Sequence, residues 1–258
     1  MRRAGAACPL PFGGGVLRGA LAATLVALGL LAGCRQPADS DSARAIGAQG
    51  FPRADRPPES ASGDQLSTEV QRDRLDEATT VMRLADIRPG MTVADLGAGG
   101  GYYTMRLAPR VGRKGRVLAE DIDGAALTRL GDRVQRERLD NVSIQQGDEA
   151  DPHLPPASFD RIFMVHMYHE VSEPYAFLWH LRPALRPGGR VIVVDADRPT
   201  AEHGIPPRQL FCELAAVGFR LTEFVRKPEL MGYYAQFETF GNRPEPSAIK
   251  PCKAIAKS

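Results

Sequence analysis

Ten residues, Val93-Ala94-Asp95-Leu96-Gly97-Ala98-Gly99-Gly100-Gly101-Tyr102, constrain this chain more than any other stretch. The apolar run Met91 to Leu96 predicts a buried parallel strand, and the pattern from Tyr103 to Val111 predicts a helix. Between them sit Gly97, Gly99, Gly100 and Gly101. Glycine permits positive φ and lets a ligand come close to the backbone. The first amides of a helix have no partner within it and face whatever binds there. The register is not that of a dinucleotide loop, because G-x-G-x-x-G counted from Gly97 puts Tyr102 where the third glycine belongs. What stands here is D-x-G-x-G-x-G: Asp95, Gly97, Gly99, Gly101. Taken alone, it also suits a tight turn in another α/β protein.

The flanking chain repeats the alternation. A helix is predicted from Ser67, capped by Ser67 or Thr68 and stopped by Pro89-Gly90. Arg116 to Glu120 reads as a second strand ending at Asp121. A helix over Asp123–Arg138 carries Leu127, Leu130, Val134 and Leu139 near one face. Val142–Gln146 and Asp160–Val165 read as strands three and four, and Pro174–Leu185 as a helix. The Arg186-Pro187-Gly188-Gly189 turn leads to a fifth strand, Arg190–Val194. A helix over Pro207–Val217 precedes two strands, Phe219–Arg226 and Tyr233–Phe240, too close together for a crossover, so they must be antiparallel. The expected fold is α/β: a doubly wound, mostly parallel seven-stranded sheet with a C-terminal antiparallel hairpin. The 258 residues suffice for one domain with spare chain, and a formal net charge of +2 implies no nucleic acid or other polyanion as partner.

The ordered set Asp95/Gly97/Gly99/Gly101, Asp121, Asp148 and Phe159-Asp160-Arg161-Ile162 resembles the motifs of class I S-adenosylmethionine (SAM) dependent methyltransferases. The resemblance runs from about Arg72 to Phe240 and implies SAM as cofactor. It implies cofactor-binding roles for Asp95, Gly97, Ala98, Gly99, Gly101, Asp121, Ile122, Asp148, Glu149 and Val165. Asp95 would lie near the methionine amino group, Asp121 at the ribose diol and Asp148 beside the adenine. Each has a plainer reading as well: Asp121 as a helix cap, Asp148 as a turn aspartate, Asp160 as a strand-edge residue with a structural bond. Glu120 neighbours Asp121, and the register favours Asp121.

The reacting end is expected beyond strand four, where ligands bind in open α/β sheets. There the chain reads His166-Met167-Tyr168-His169-Glu170. Methyl transfer needs a positioned acceptor and, for O or N, removal of a proton. Histidine is suited to that, so His169 is the candidate base and Tyr168 the candidate substrate-orienting group. The alternative is that His166 or His169 caps a turn or packs beneath the cofactor. No distant His/Cys cluster completes a metal site, and no metal is expected. His203 either lines the same pocket or is only a loop residue.

Residues 1–33 read as a targeting segment: Arg2, Arg3 and Arg18, then an uncharged apolar run from Ala20 to Ala32, then small residues. Leu31-Ala32-Gly33-Cys34 resembles the lipobox of bacterial lipoproteins, which implies lipidation of Cys34 and a membrane anchor, with the periplasmic face of the outer membrane favoured because Arg35 is not the retaining aspartate. Residues 34–66, rich in Pro, Ser, Asp and Gly, are expected to be a disordered tether. The catalytic domain is then 67–240, followed by a disordered tail, 241–258. Cys212 is expected in the core; its pairing with Cys252 stays open for an exported protein, although a disordered tail argues against it. The function expected is methyl transfer from SAM to a small-molecule acceptor. The alternative is a membrane-tethered binding module that keeps the fold without turnover, and a cytoplasmic protein if translation starts later.

Overall fold

The chain folds into a seven-stranded sheet of order β3-β2-β1-β4-β5-β7-β6. The computed structural model describes residues 44–56, 68–227 and 230–253, all within one compact unit, residues 39–258. The strands are β1 (Thr92–Leu96), β2 (Arg116–Asp121), β3 (Val142–Gln146), β4 (Phe159–Val165), β5 (Leu185–Asp195), β6 (Phe219–Lys227) and β7 (Gly232–Thr239). β1 pairs in parallel with β2 and β4, β2 with β3, and β4 with β5. β7 lies antiparallel between β5 and β6. This is the architecture expected from the alternating pattern and the helix-free final pair.

Among the described residues six α-helices accompany the sheet: α1 (Glu69–Arg74), α2 (Glu77–Leu84), α3 (Tyr102–Val111), α4 (Gly124–Arg136), α5 (Pro174–Leu181) and α6 (Pro207–Ala216). Strand side chains alternate between faces. Ala94, Leu96, Ile162, Met164, Val191 and Val193 therefore pack with α5 and α6. Val93, Val117, Phe163, Ile192 and Val194 pack with α2 and α3. Asp123 caps α4 by accepting from the Ala125 amide at 2.8 Å. The helix expected from Ser67 is two helices. Thr68 opens α1 with a capping box to Gln71, and the chain breaks at Asp76, φ 56°. The break delivers Glu77 into the core, where Arg72 Nη2 meets it at 2.6 Å. The Arg-Pro-Gly-Gly turn is instead part of the long β5, whose pairing with β4 shifts between Phe159 and Arg161.

Both flanks differ from the compositional expectation. The signal segment and Cys34 lie outside the described residues, but 44–56 of the expected tether docks on the domain. Ala48 and Phe51 are buried, Phe51 meets the Trp179 ring edge-on at 5.5 Å, and Arg44 Nε donates to Glu173 at 2.8 Å. The tail docks similarly through residues 241–253. Trp179 Nε1 donates to the Pro244 carbonyl at 2.8 Å, Arg243 sits 3.5 Å over the Trp179 ring, and Ile249 and Cys252 are buried. Isolated anchors hold these segments, so neither helical nor strand periodicity marks them. Cys212 lies on the outward side of α6 and forms a disulfide with Cys252, 40 residues away, rather than sitting in the core. Replacing both cysteines by serine should cost about 2–4 kcal/mol. Urea unfolding checks this, and an unchanged midpoint would show that the link does not stabilise the tail. Among the described residues no helix is long and apolar enough to cross a membrane.

Candidate active site

A cavity of about 780 Å³ opens at the carboxyl ends of the parallel strands. β1 and β4 are neighbours, yet the chain reaches β4 only after building β2 and β3 on the other side. That reversal leaves a crevice at the strand ends. Each loop leaving a strand contributes to its wall: Gly97–Gly100 after β1, Ile122 after β2, Asp148 and Glu149 after β3, His169 after β4 and His203 after β5. Val165, at the end of β4, adds an apolar floor.

The glycine loop is shaped for close approach. Gly97 has φ 64°, and a Cβ there would lie 2.9 Å from Met167. At Gly99 and Gly100 an added Cβ would meet nothing within 4 Å, so the loop presents open backbone to the cavity. Gly101 does not line the cavity. It takes φ 85° at the head of α3, where a Cβ would strike Leu130 at 2.4 Å. Its glycine is required by packing.

Asp95 is also not on the cavity wall, contrary to the role expected for it. One residue out of phase with Leu96, it points toward α3, where Thr104 Oγ1 donates to it at 2.6 Å. Burial pushes its carboxyl up to about 6. It fixes the start of α3 against β1 and so acts on the loop from behind.

Asp121 stands at the end of β2 with both carboxylate oxygens engaged by backbone. The Gly99 amide donates to Oδ2 at 2.7 Å and the Asp123 amide to Oδ1 at 2.9 Å. A carboxylate oxygen has further lone-pair capacity, so Asp121 can hold the glycine loop and still accept from a diol. Ile122 is largely exposed beside it and gives the cavity an apolar surface. Asp148 accepts from the Ala150 and Asp151 amides at 2.9 and 2.8 Å. It is the turn aspartate of the plainer reading and a cavity residue at once. Glu149 accepts from Ser172 Oγ at 3.1 Å, joining the loops after β3 and β4. Asp160 is structural: it accepts from the Thr92 amide at 2.7 Å and from Arg186 Nη1 at 2.9 Å.

Glu120, passed over in favour of Asp121, lines the cavity too, and only 2% of it is exposed. Its Oε1 is buried without a hydrogen-bond partner. Burial, reinforced by the charges of Asp121, Asp95 and Asp148, raises its carboxyl to about 8. Glu120 is therefore protonated at neutral pH. The unfolded chain gives up that proton from about its ordinary value of 4.5 upward, while the folded chain retains it to about 8. Stability associated with Glu120 is thus complete below pH 4.5 and declines as pH rises to about 8, by of order 5 kcal/mol. Glu120→Gln should melt higher than the parent at pH 8.5 and alike at pH 4.5. Equal melting at both pH values would contradict the buried acid.

Beyond β4 the chain turns through a short 3-10 segment, Tyr168–Glu170. His169 lines the cavity, and its Nδ1 lies 3.0 Å from both oxygens of the buried Asp195 at the end of β5. A carboxylate there holds the hydrogen on Nδ1 and leaves the lone pair on Nε2. His203, in left-handed conformation at φ 55°, also lines the cavity and meets the His169 ring edge-on at 6.2 Å. Asp195 was missed in the sequence because it closes a strand with no motif of its own. Tyr168 does not orient a substrate from this position. It is fully buried, and its hydroxyl donates to Glu213 Oε2 at 2.7 Å in the core. Adjacent residues on so tight a turn point apart, so the cavity receives only one of the pair. His166 turns to Glu77, with Nε2 to Oε2 at 3.4 Å, and also lines the cavity. Burial pushes the Glu77 carboxyl up, but hydrogen bonds from His166 and Arg72 outweigh it and hold Glu77 down at about 2.

Helix α1 closes one side of the cavity with Glu69 and Arg72. Arg133 of α4 bonds Glu69 at 2.6 Å and the Gly100 carbonyl at 2.9 Å, tying α1 to the glycine loop. Carboxylates outnumber guanidinium groups around the cavity, which favours a cationic ligand. An open glycine backbone, a diol acceptor, an apolar face and an orphaned buried acid together fit a nucleoside bearing a positive charge, as SAM does.

The fold and this cavity define the class I methyltransferase architecture, which many chemistries share. Residues 93–189 match the family described as methyltransferase domain. The ubiquinone/menaquinone biosynthesis C-methyltransferase UbiE of Coxiella burnetii is 32% identical over 142 residues, covering 53% of this chain and 54% of that protein. The same enzyme of a Shewanella strain is 32% identical over 123 residues, covering 47% and 49%. The chain thus spans about half the length of the curated relatives it matches. A SAM-dependent methyltransferase from Aquifex aeolicus superposes with a TM-score of 0.57 at 25% identity, covering 67% of this chain and 97% of that one. The [4+2]-cyclase SpnF superposes with a TM-score of 0.57 at 17% identity, covering 76% and 91%, a likeness of fold alone.

Proposed function

We propose that this protein is a SAM-dependent methyltransferase acting on a small-molecule acceptor, with His169 as the base. The observation that carries the reading is the convergence, in one cavity, of the open backbone at Gly99 and Gly100, Asp121 and His169, which is backed by the buried Asp195. SAM, when bound, supplies a methyl carbon activated by its sulfonium. The glycine loop and Asp121 hold that ligand, with Ile122 and Asp148 bounding its base. Asp95 and Gly101 support the loop from beneath. His169 Nε2 takes the proton from the acceptor's hydroxyl or amine, or the proton lost from carbon, while Asp195 keeps Nδ1 protonated and stabilises the imidazolium that forms. Fixed orientation supplies the rest of the acceleration.

The acceptor class proposed is a lipid-soluble small molecule. The relatives named for quinone C-methylation and the apolar cavity residues Ile122, Val165, Met167 and Phe177 support it. Transfer of labelled methyl from SAM into an organic extract of bacterial membranes tests the function. Label in the extract with the parent and none with Asp121→Ala supports it. Binding of SAM with no transfer across quinol, phenol and amine acceptors would favour the binding-module alternative. The anchoring at Cys34 belongs to the same proposal, with the outer membrane's periplasmic face as the site. The Cys212–Cys252 disulfide supports export, since such links persist in oxidising compartments. Fractionation of the parent against Cys34→Ser is the check. Both proteins in the cytosolic fraction with an unprocessed N-terminus would overturn the lipoprotein reading.

A further inference from the structure

We propose that Arg56, in the segment ahead of the methyltransferase domain, is a positioning residue that holds the turn carrying His169. The inference rests on the assignment of His169 as the base for its effect on turnover, and on geometry alone for its effect on the turn.

Arg56 lies outside the residues that match the methyltransferase family, 93–189, and within a segment whose composition predicts a tether. Its side chain is nonetheless 7% exposed, with Nε 3.6 Å from Glu213 Oε1. Nη2 donates to the Val171 carbonyl and, at 3.5 Å, to that of Tyr168; Nη1 is 3.5 Å from the carbonyl of His169. The guanidinium also stands 5.5 Å over the Tyr168 ring. Glu213 accepts the Tyr168 hydroxyl at 2.7 Å and Gln209 Nε2 at 2.8 Å. One planar fork therefore serves carbonyls on both sides of His169 and a buried carboxylate.

The Glu170 amide bonds the Met167 carbonyl at 2.9 Å and the Val171 amide that of Tyr168 at 3.2 Å. Asp195 fixes the ring end of the side chain, by holding the imidazole. Arg56 fixes the backbone from which that imidazole projects, so the base is set from two sides. Arg44, bound to Glu173 and to the Phe51 carbonyl at 2.8 Å, pins the same segment at its start. On this account the working domain begins at or before Arg44.

The test is hydrogen exchange by NMR on the full chain carrying Arg56→Gln, and on Arg56→Met with Glu213→Gln. The double variant leaves no unpaired charge in the core and keeps an acceptor for Tyr168. We expect the Glu170 and Val171 amides to exchange about tenfold faster in both variants, while β2 amides keep their protection. Affinity for S-adenosylhomocysteine, read by calorimetry, is expected to stay within about twofold, because no part of the glycine loop touches Arg56. Methyl transfer to the membrane extract should fall with turnover number and not with the SAM concentration required. A uniform rise of exchange across the sheet would mean that Arg56 only stabilises the fold, and unchanged exchange at Glu170 and Val171 would overturn the proposal outright. Faster exchange at the turn with no loss of methyl transfer would leave Arg56 holding the turn and would instead refute His169 as base.

Discussion

His169→Ala should lower the rate of methyl transfer by at least about 10²-fold, the usual contribution of a positioned general base, and leave SAM affinity nearly unchanged. The reason is spatial. His169 stands after β4 with its Nδ1 on Asp195, whereas the glycine loop and Asp121 stand after β1 and β2. Asp195→Asn should reproduce much of the loss. An amide presents N–H as readily as C=O to Nδ1, so the tautomer with the lone pair on Nε2 is no longer enforced. Full turnover in either variant would remove the base from the mechanism. Equal loss of affinity and rate in His169→Ala would show that the reacting end lies elsewhere.

Asp121→Ala is expected to weaken SAM binding by about 10²- to 10⁴-fold. Two hydrogen bonds from a ribose diol to a charged acceptor are lost, each worth roughly 1.5–3 kcal/mol. A further penalty comes from the protein itself. The Gly99 amide loses its 2.7 Å acceptor and the loop loses its hold on β2. Asp121→Asn should fall between the two, since it retains one oxygen. Calorimetric titration with S-adenosylhomocysteine measures both, and affinities within threefold of the parent would exclude Asp121 from the ligand.

The sheet was legible because parallel strands buried on both faces read as short apolar runs, and glycine, proline and aspartate punctuate them. The cavity residues at strand ends were legible from motif spacing: Gly97, Ala98, Gly99, Asp121, Ile122, Asp148, Glu149, Val165 and His169 all line one space. Asp95 and Gly101 belong to the same motif, yet their side-chain positions face α3 and α4. A motif records which residues the loop needs, without separating those that touch ligand from those that shape the turn. Tyr168 failed as a site residue for a similar reason, since adjacency to His169 on a tight turn sends it to the opposite side. Asp195 and Arg56 were not legible at all, because their partners lie 26 and more than 100 residues away. The docked flanks were hidden by averaging. Phe51, Ile249 and Cys252 are single anchors in polar, proline-containing stretches, and composition dilutes them.

The central claim is that the cavity at the strand ends is a SAM site. Isothermal titration of the purified full chain with SAM and with S-adenosylhomocysteine tests it most directly. The account predicts saturable binding of one equivalent of either ligand, lost or strongly weakened in Asp121→Ala. Absence of binding by both ligands at millimolar concentration, in a protein shown to be folded and disulfide-linked, would contradict it.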